Sequence, residues 1–254
     1  NSTVFCGAGD FSKLPPENSW LFKAALPTAR KAGLIHPDIP CVINQHNIHT
    51  LSPEQRKSAV EWLVAERLKN NWPELVLYTY DEPRFPLPGF REAFVPLRKL
   101  PIRVGTAMSD IAAFGHGDFH DVWIVHDGME TPELLAEAQR CGAEVWTYSY
   151  RILREGGGER VVNCPLRQRY YAGLYTWANK LKGNFVWAYS HLDTTMSHAW
   201  WIPESDEPMP TVGWEGRREG IDDYRYLQMV EDIVTIRKKD PITSRDPLTL
   251  EVEA

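Results

Sequence analysis

Two adjacent carboxylates, Asp81 and Glu82, stand at the end of the run Leu75-Val76-Leu77-Tyr78-Thr79-Tyr80 and are followed by Pro83. Neighbouring carboxylates repel, which favours a proton on one of them. A protonated carboxyl beside a charged one is the setting for general-acid chemistry next to a charge stabiliser. The run itself predicts a strand over 75–80. Alternation puts Val76, Tyr78, Tyr80 and Glu82 on one face and Leu75, Leu77, Thr79 and Asp81 on the other. A regular strand therefore cannot aim both carboxylates at one ligand. The chain must twist or bulge at Asp81, and Pro83 ends the ladder there. Asp-Glu-Pro alone is also an ordinary loop or helix start; the tyrosine-bearing strand ahead of it singles it out.

The remaining polar candidates also follow strands. Asn44, Gln45, His46 and His49 come after the apolar segment Cys41–Ile43, and His126 and Asp127 after Val122–Val125. Tyr148 and Tyr150 end Glu144–Tyr148, and Tyr189, His191 and Asp193 end the run from Asn184. The strand starts are instead introduced by Pro40, Pro73, Pro101 or Gly183. In a parallel barrel all C-terminal strand ends face one rim, where active sites lie.

The elements that must position these residues alternate. Helices are predicted over 20–31, from Ser52-Pro53 onward, over 90–97, from Thr131-Pro132 to Gly142, over 167–182 and over 214–238. Ser52 with Gln55 three residues on is a capping-box pattern, and Pro53 suits a first helical position. The last helix carries Ile221, Tyr224, Leu227, Val230 and Val234 on one stripe. Strands are predicted over 4–8, 41–43, 75–80, 102–106, 122–125, 144–148 and 184–189. Strands alternating with helices indicate parallel β/α units. The expected fold is α/β, a (β/α)8 TIM-like barrel one strand short, its first strand lying upstream of Asn1. Residues 1–239 would form the barrel and 240–254 a linker or an incomplete next element. An open doubly wound sheet is the alternative, but no G-x-G-x-x-G follows a strand to support a dinucleotide-binding version of it.

Composition narrows the chemistry. A net charge of −6 over 254 residues argues against a nucleic-acid partner. Ten Trp and ten Tyr are many for this length; they fill a large core or stack on the apolar faces of sugar rings. The four cysteines include no C-x-x-C, so zinc-ribbon and thioredoxin-like motifs are excluded. No apolar run is long enough to span a bilayer. The chain starts without Met, as a mature form or a fragment would, and Asn1-Ser2-Thr3 matches a glycosylation sequon. His116 and His120 have helical zinc-ligand spacing, but Gly115 and Gly117 are poor helix residues, so no metal and no cofactor is expected. Glu215, Arg218 and Asp222 lie at helical spacing and read as an ion-pair row. Asp222-Asp223 could instead reach toward a substrate hydroxyl.

Asn71-Trp72-Pro73-Glu74-Leu75 through Tyr80-Asp81-Glu82-Pro83 resembles the catalytic strand of glycoside hydrolase family 123. The run Pro210-Thr211-Val212-Gly213-Trp214-Glu215-Gly216-Arg217-Arg218-Glu219-Gly220-Ile221-Asp222-Asp223-Tyr224-Arg225-Tyr226-Leu227 is similar to the C-terminal signature of that family and its broader relatives. The resemblance covers roughly residues 35 to 235 and implies a retaining, exo-acting enzyme that removes terminal β-linked N-acetylgalactosamine. In such enzymes the substrate's own 2-acetamido oxygen attacks the anomeric carbon, an exception to the usual two-carboxylate arrangement. Glu82 would then be the general acid/base and Asp81 the group that orients the acetamido and stabilises the forming oxazolinium. Tyr148, Tyr150 and Tyr189 are candidates to hold the acetamido oxygen, and Trp146 or Trp187 to line the sugar. Asn44, His46, Tyr80, His126 and Asp127 are further candidate contacts at the rim; His126-Asp127 could equally cap a turn. The family's N-terminal β-sandwich has no counterpart in this chain. Two alternatives stay open: a glycosidase of another sugar using two separated carboxylates, with Asp127 or Asp193 as partner to Glu82, or a non-catalytic carbohydrate-binding barrel. An extracellular or periplasmic place follows by analogy alone, and the sequence does not specify an oligomeric state.

Overall fold

A computed structural model of the chain describes residues 5–7, 11, 13, 21–83, 89, 92, 94–109, 118, 120–148, 152–153, 164–186, 199–201 and 208–240. The chain divides into two compact units, Asn1–Tyr148 and Ser149–Ala254.

The first unit is built on six parallel strands: β1 (Phe5–Gly7), β2 (Cys41–Asn44), β3 (Leu75–Tyr78), β4 (Arg103–Met108), β5 (Val122–His126) and β6 (Glu144–Tyr148). Each pairs with the next in sequence, β1 to β6 without a reversal. A doubly wound sheet would reverse order at a switch point, so this unit has the strand order of part of a (β/α) barrel.

Its helices form where the sequence signals them. After α1 (Leu26–Lys31) comes α2 (Pro53–Lys69), which opens on a complete capping box. Ser52 Oγ accepts from Gln55 N at 3.2 Å and Gln55 Oε1 accepts from Ser52 N at 2.9 Å, a cap worth about 1 kcal/mol. The helix α3 (Pro132–Cys141) begins at Thr131, whose hydroxyl accepts from Leu134 N, and stops at Gly142 with φ 69°. A left-handed stop of that kind favours glycine. Of the helix predicted over 90–97, residues 92 and 94 are helical, the chain turns at 95–96, and Leu97–Lys99 forms a short 3-10 turn; residues 90, 91 and 93 lie outside the described residues.

The strand faces divide the work. Cys41, Ile43, Leu75, Leu77 and Val104 pack in one buried cluster with Val60 and Leu63 of α2. Burial of each large aliphatic side chain there stabilises by roughly 1.5–3 kcal/mol. By alternation and register, Asn44, Tyr78, Gly105, Ala107, His126 and Tyr148 lie on the opposite face.

In the second unit the helix predicted over 167–182 is three segments: α4 (Pro165–Tyr170), a wide π turn over Tyr171–Tyr175, and α5 (Thr176–Ala178). Thr176 Oγ1 donates to Tyr171 O at 2.7 Å, five residues back, which suits the wider turn. The strand β7 (Asn184–Phe185) follows, and then β8 (Ala199–Trp201) pairs antiparallel with β9 (Pro208–Pro210). Last is α6 (Val212–Lys239), capped by Thr211.

The closest approach of α6 to the preceding helical run is made at glycines. A Cβ on Gly216 would stand 2.2 Å from Pro165 O, and one on Gly220 would stand 2.4 Å from Arg169 O. Arg169 clamps Asp223 with two hydrogen bonds, 2.6 and 2.8 Å. Ile221, Tyr224, Leu227 and Val234 are half-buried, but Val230 is exposed. Arg218 pairs with Glu215, Glu219 and Asp222, so the expected ion-pair row is present. Asp222 and Asp223 are both held by arginines.

Gly→Ala inside an ordinary helix stabilises by about 1 kcal/mol. Here the sign is expected to reverse. Gly216→Ala and Gly220→Ala should each lose roughly 1–3 kcal/mol or more in urea unfolding, because backbone cannot move aside cheaply. Unchanged or raised midpoints would contradict the close approach.

Candidate active site

The strand expected over 75–80 stops at Tyr78. Thr79 still anchors the chain to β4, its N–H donating to Gly105 O at 3.0 Å and its hydroxyl meeting that of Thr106 at 2.9 Å. The backbone then bends, and Glu82 takes φ 46°, a left-handed conformation. Such a conformation at a residue other than glycine costs about 1–3 kcal/mol and concentrates at functional sites. The bend takes Asp81 and Glu82 off the ladder, so the alternation of the strand no longer separates them.

Three residues on the face away from the helices meet this turn. Level with Tyr78 and beyond it, β4 carries Gly105 and Ala107 on that face, and a Cβ on Gly105 would lie 3.2 Å from Val122 Cβ. With so little side chain between them, Tyr78 of β3 and the β5–β6 residues approach one locus. His126 and Tyr148 are register partners, and their rings stand 4.3 Å apart at 57°.

Tyr78 donates its hydroxyl hydrogen to Asp81 Oδ1 at 2.7 Å, and Tyr148 donates to Glu82 Oε1 at 2.6 Å. His126 Nε2 reaches the same Glu82 oxygen at 3.2 Å. An ionised carboxylate only accepts, so Nε2 carries the hydrogen there. Burial, and then the hydrogen bond to the neighbouring carboxylate, push the Tyr78 and Tyr148 hydroxyls far above the usual tyrosine range. Both phenols are therefore fixed as neutral donors. Among the described residues, each carboxylate has one oxygen occupied and one, Asp81 Oδ2 or Glu82 Oε2, without a hydrogen bond. The Glu82 side chain is 45% exposed. The arrangement can deliver a proton from one free carboxyl oxygen while the neighbouring carboxylate faces positive charge.

Of the candidates named from sequence, Asp81, Glu82, His126 and Tyr148 come together. Tyr78 belongs with them although the sequence does not single it out; alternation alone puts it on the face of Glu82. Tyr80 turns aside to His49, ring centroids 4.8 Å apart, against the outer core. Trp146 is buried and donates Nε1–H to Glu144 at 3.1 Å, so its ring is no open platform. Asp127 is fully buried and its N–H donates to Tyr148 O. Asn44 is half-buried at the end of β2, level with Tyr78. The backbone of His46 opens a 3-10 turn, and its side chain is not among those described. Tyr150, Trp187, Tyr189, His191, Asp193 and His116 lie outside the described residues. His120 is fully buried beside Phe94, with burial pushing its pKa down to about 3. Among the described residues, no group of three or more His, Cys, Asp or Glu is placed to hold a metal ion. No helix there is long and apolar enough to cross a membrane.

A cleft of 290 Å³ opens at the other ends of the strands, lined by Arg67, Glu74, Arg98, Arg103 and Asp121 among others. Its charges largely neutralise one another: Arg103 pairs with Glu74 and Glu144, and Arg98 with Asp121. It lies where a barrel keeps stability rather than chemistry.

Comparison with known protein families and with curated proteins finds no match. Among solved structures, a β-glucuronidase from an uncultured Clostridium sp. is similar with a TM-score of 0.45 and 11% identity, over 87% of this chain and 50% of that one. The chain thus spans half the length of that protein.

The raised tyrosines link to pH. Below about pH 10 both folded and unfolded hydroxyls keep their protons. Above it the unfolded chain releases protons that the folded one retains, so stability falls as pH rises. Tyr78→Phe is expected to flatten that alkaline decline in denaturant titrations, and the last tyrosinate absorbance should appear only on unfolding. Full ionisation of all tyrosines in the folded protein would contradict the tethers.

Proposed function

We propose that this protein is a retaining, exo-acting glycoside hydrolase that removes terminal β-linked N-acetylhexosamine, N-acetylgalactosamine above all, in the manner of glycoside hydrolase family 123. The observation that carries the proposal is the adjacent pair Asp81–Glu82, each carboxylate tethered through one oxygen by a tyrosine hydroxyl and, among the described residues, without a hydrogen bond at the other. Adjacent carboxylates suit substrate-assisted hydrolysis. A conventional retaining pair needs carboxylates about 5 Å apart across the sugar, and an inverting pair more. Asp127, a rim partner for such a mechanism, is fully buried, which favours the adjacent pair. A closed (β/α)8 barrel, with β1 to β6 as consecutive strands, is part of the same proposal.

In the first step the C–O bond to the leaving group breaks as Glu82 Oε2–H gives its proton to the glycosidic oxygen. The 2-acetamido oxygen forms a bond to the anomeric carbon, closing an oxazolinium ring. Asp81 faces the acetamido N–H and stabilises the positive charge spreading over it. In the second step the Glu82 carboxylate takes a proton from water, whose oxygen attacks the anomeric carbon and reopens the ring. Glu82 is protonated again, and the configuration is retained because the carbon is attacked twice. Tyr78 and Tyr148 keep the two carboxylates aimed throughout. Tyr148 donates its one hydrogen to Glu82, so Tyr150 or Tyr189 is the better candidate to hold the acetamido oxygen.

The test is hydrolysis of a panel of aryl β-glycosides with and without the 2-acetamido group. Wild type should cleave only the acetamido sugars, and Glu82→Gln should lower kcat by about 10²–10⁴-fold while still binding product. Unchanged hydrolysis in Glu82→Gln, or equal cleavage of sugars lacking the acetamido group, would overturn the proposal.

A further inference from the structure

We propose that His126 is the positioning residue of the acid/base carboxylate: with Tyr148 it occupies Glu82 Oε1 and so confines the transferable proton to Oε2. This role rests on Glu82 being the acid/base. Two donors converge on one oxygen, Tyr148 at 2.6 Å and His126 Nε2 at 3.2 Å. A proton on Oε1 would meet both of them head on, whereas Oε2 has no hydrogen bond to lose among the described residues. The imidazole is well placed to hold its position. It is only 9% exposed, sits on β5 rather than in a loop, and packs on the Tyr148 ring at 4.3 Å. Glu82 itself is on a bend with left-handed backbone, so its direction depends on what grips its carboxylate. Among the described residues, the other ionisable groups felt at Tyr148 are Tyr78 and Asp81 from the end of β3, and level with them β4 presents Gly105 and Ala107 on that face.

During the first step the proton leaves Oε2 for the glycosidic oxygen, and the charge left on Glu82 is met at once by the two hydrogens already on Oε1. His126 neither gains nor loses a proton. The benefit grows with the need for proton donation. A poor leaving group departs only when protonated, and an activated aryloxide departs unaided.

The experiment compares His126→Ala and His126→Gln with wild type on aryl β-N-acetylgalactosaminides of graded leaving-group acidity. The imidazole nitrogen shifts of His126 are followed by NMR in wild type, Glu82→Ala and Asp81→Asn. His126→Ala should lose about 100-fold in kcat/KM on poor leaving groups and little on dinitrophenolate. His126→Gln, which can donate an amide hydrogen, should recover part of it. The Nε2 shift should move in Glu82→Ala and stay in Asp81→Asn. Equal loss on all leaving groups, which a merely structural residue would give, overturns the role. So does an Nε2 shift that ignores Glu82→Ala, whatever the activity. A shift that moves in a protein hydrolysing nothing keeps the clamp and overturns the glycosidase reading instead.

Discussion

Neighbouring side chains on a strand point to opposite faces of its sheet, so two adjacent carboxylates can serve one locus only where the strand ends. That constraint organises the first unit. β3 stops at Tyr78, Thr79 pins the departing chain to β4, and Glu82 accepts a left-handed backbone. The conformational cost, about 1–3 kcal/mol, is offset by hydrogen bonds that exist only in this turned state: Tyr78 to Asp81, and Tyr148 and His126 to Glu82. The small residues of β4 matter for the same reason. A larger side chain at Gly105 would press on Val122 and part the strands that supply the donors.

The two ends of the strands handle charge differently. At their N-terminal ends charge is met by charge, Arg103 with Glu74 and Glu144 and Arg98 with Asp121. Such pairs neutralise themselves and lend support to the sheet. At the C-terminal ends the carboxylates are gripped by two phenols that burial keeps protonated. Neutral donors fix direction without cancelling charge, which leaves the carboxylates available to a reacting group. The sheet therefore separates a rim of paired charges from one whose carboxylates are held by neutral donors.

Much of the architecture was legible in the sequence because the signals are local. Ser52 with Gln55, Thr131 with Pro132, and Gly142 mark helix ends that the structure realises, and the alternation of strands and helices gave the parallel order β1 to β6. The Asp81–Glu82 pair stood out through the strand ahead of it. What stayed hidden depends on contacts between distant residues. Nothing in Val122–His126 announces that His126 will meet a carboxylate 44 residues earlier. Tyr78 was visible on the face of Glu82, but nothing local marks it as the partner of Asp81. In α6 the apolar stripe is half-buried except at Val230, but the close approach at Gly216 and Gly220 stayed hidden, because glycine has no hydropathy to betray it. Tyr150, Trp187 and Tyr189 lie outside the described residues.

The central claim is that Asp81 and Glu82 act together on a 2-acetamido sugar. Calorimetric binding of N-acetylgalactosamine-thiazoline tests it most directly, because the thiazoline mimics the cyclised intermediate and should bind tightly only to a substrate-assisted site. Tight binding by wild type that weakens strongly in Asp81→Asn is the predicted result. No binding by folded wild-type protein, or binding indifferent to Asp81→Asn, would contradict it.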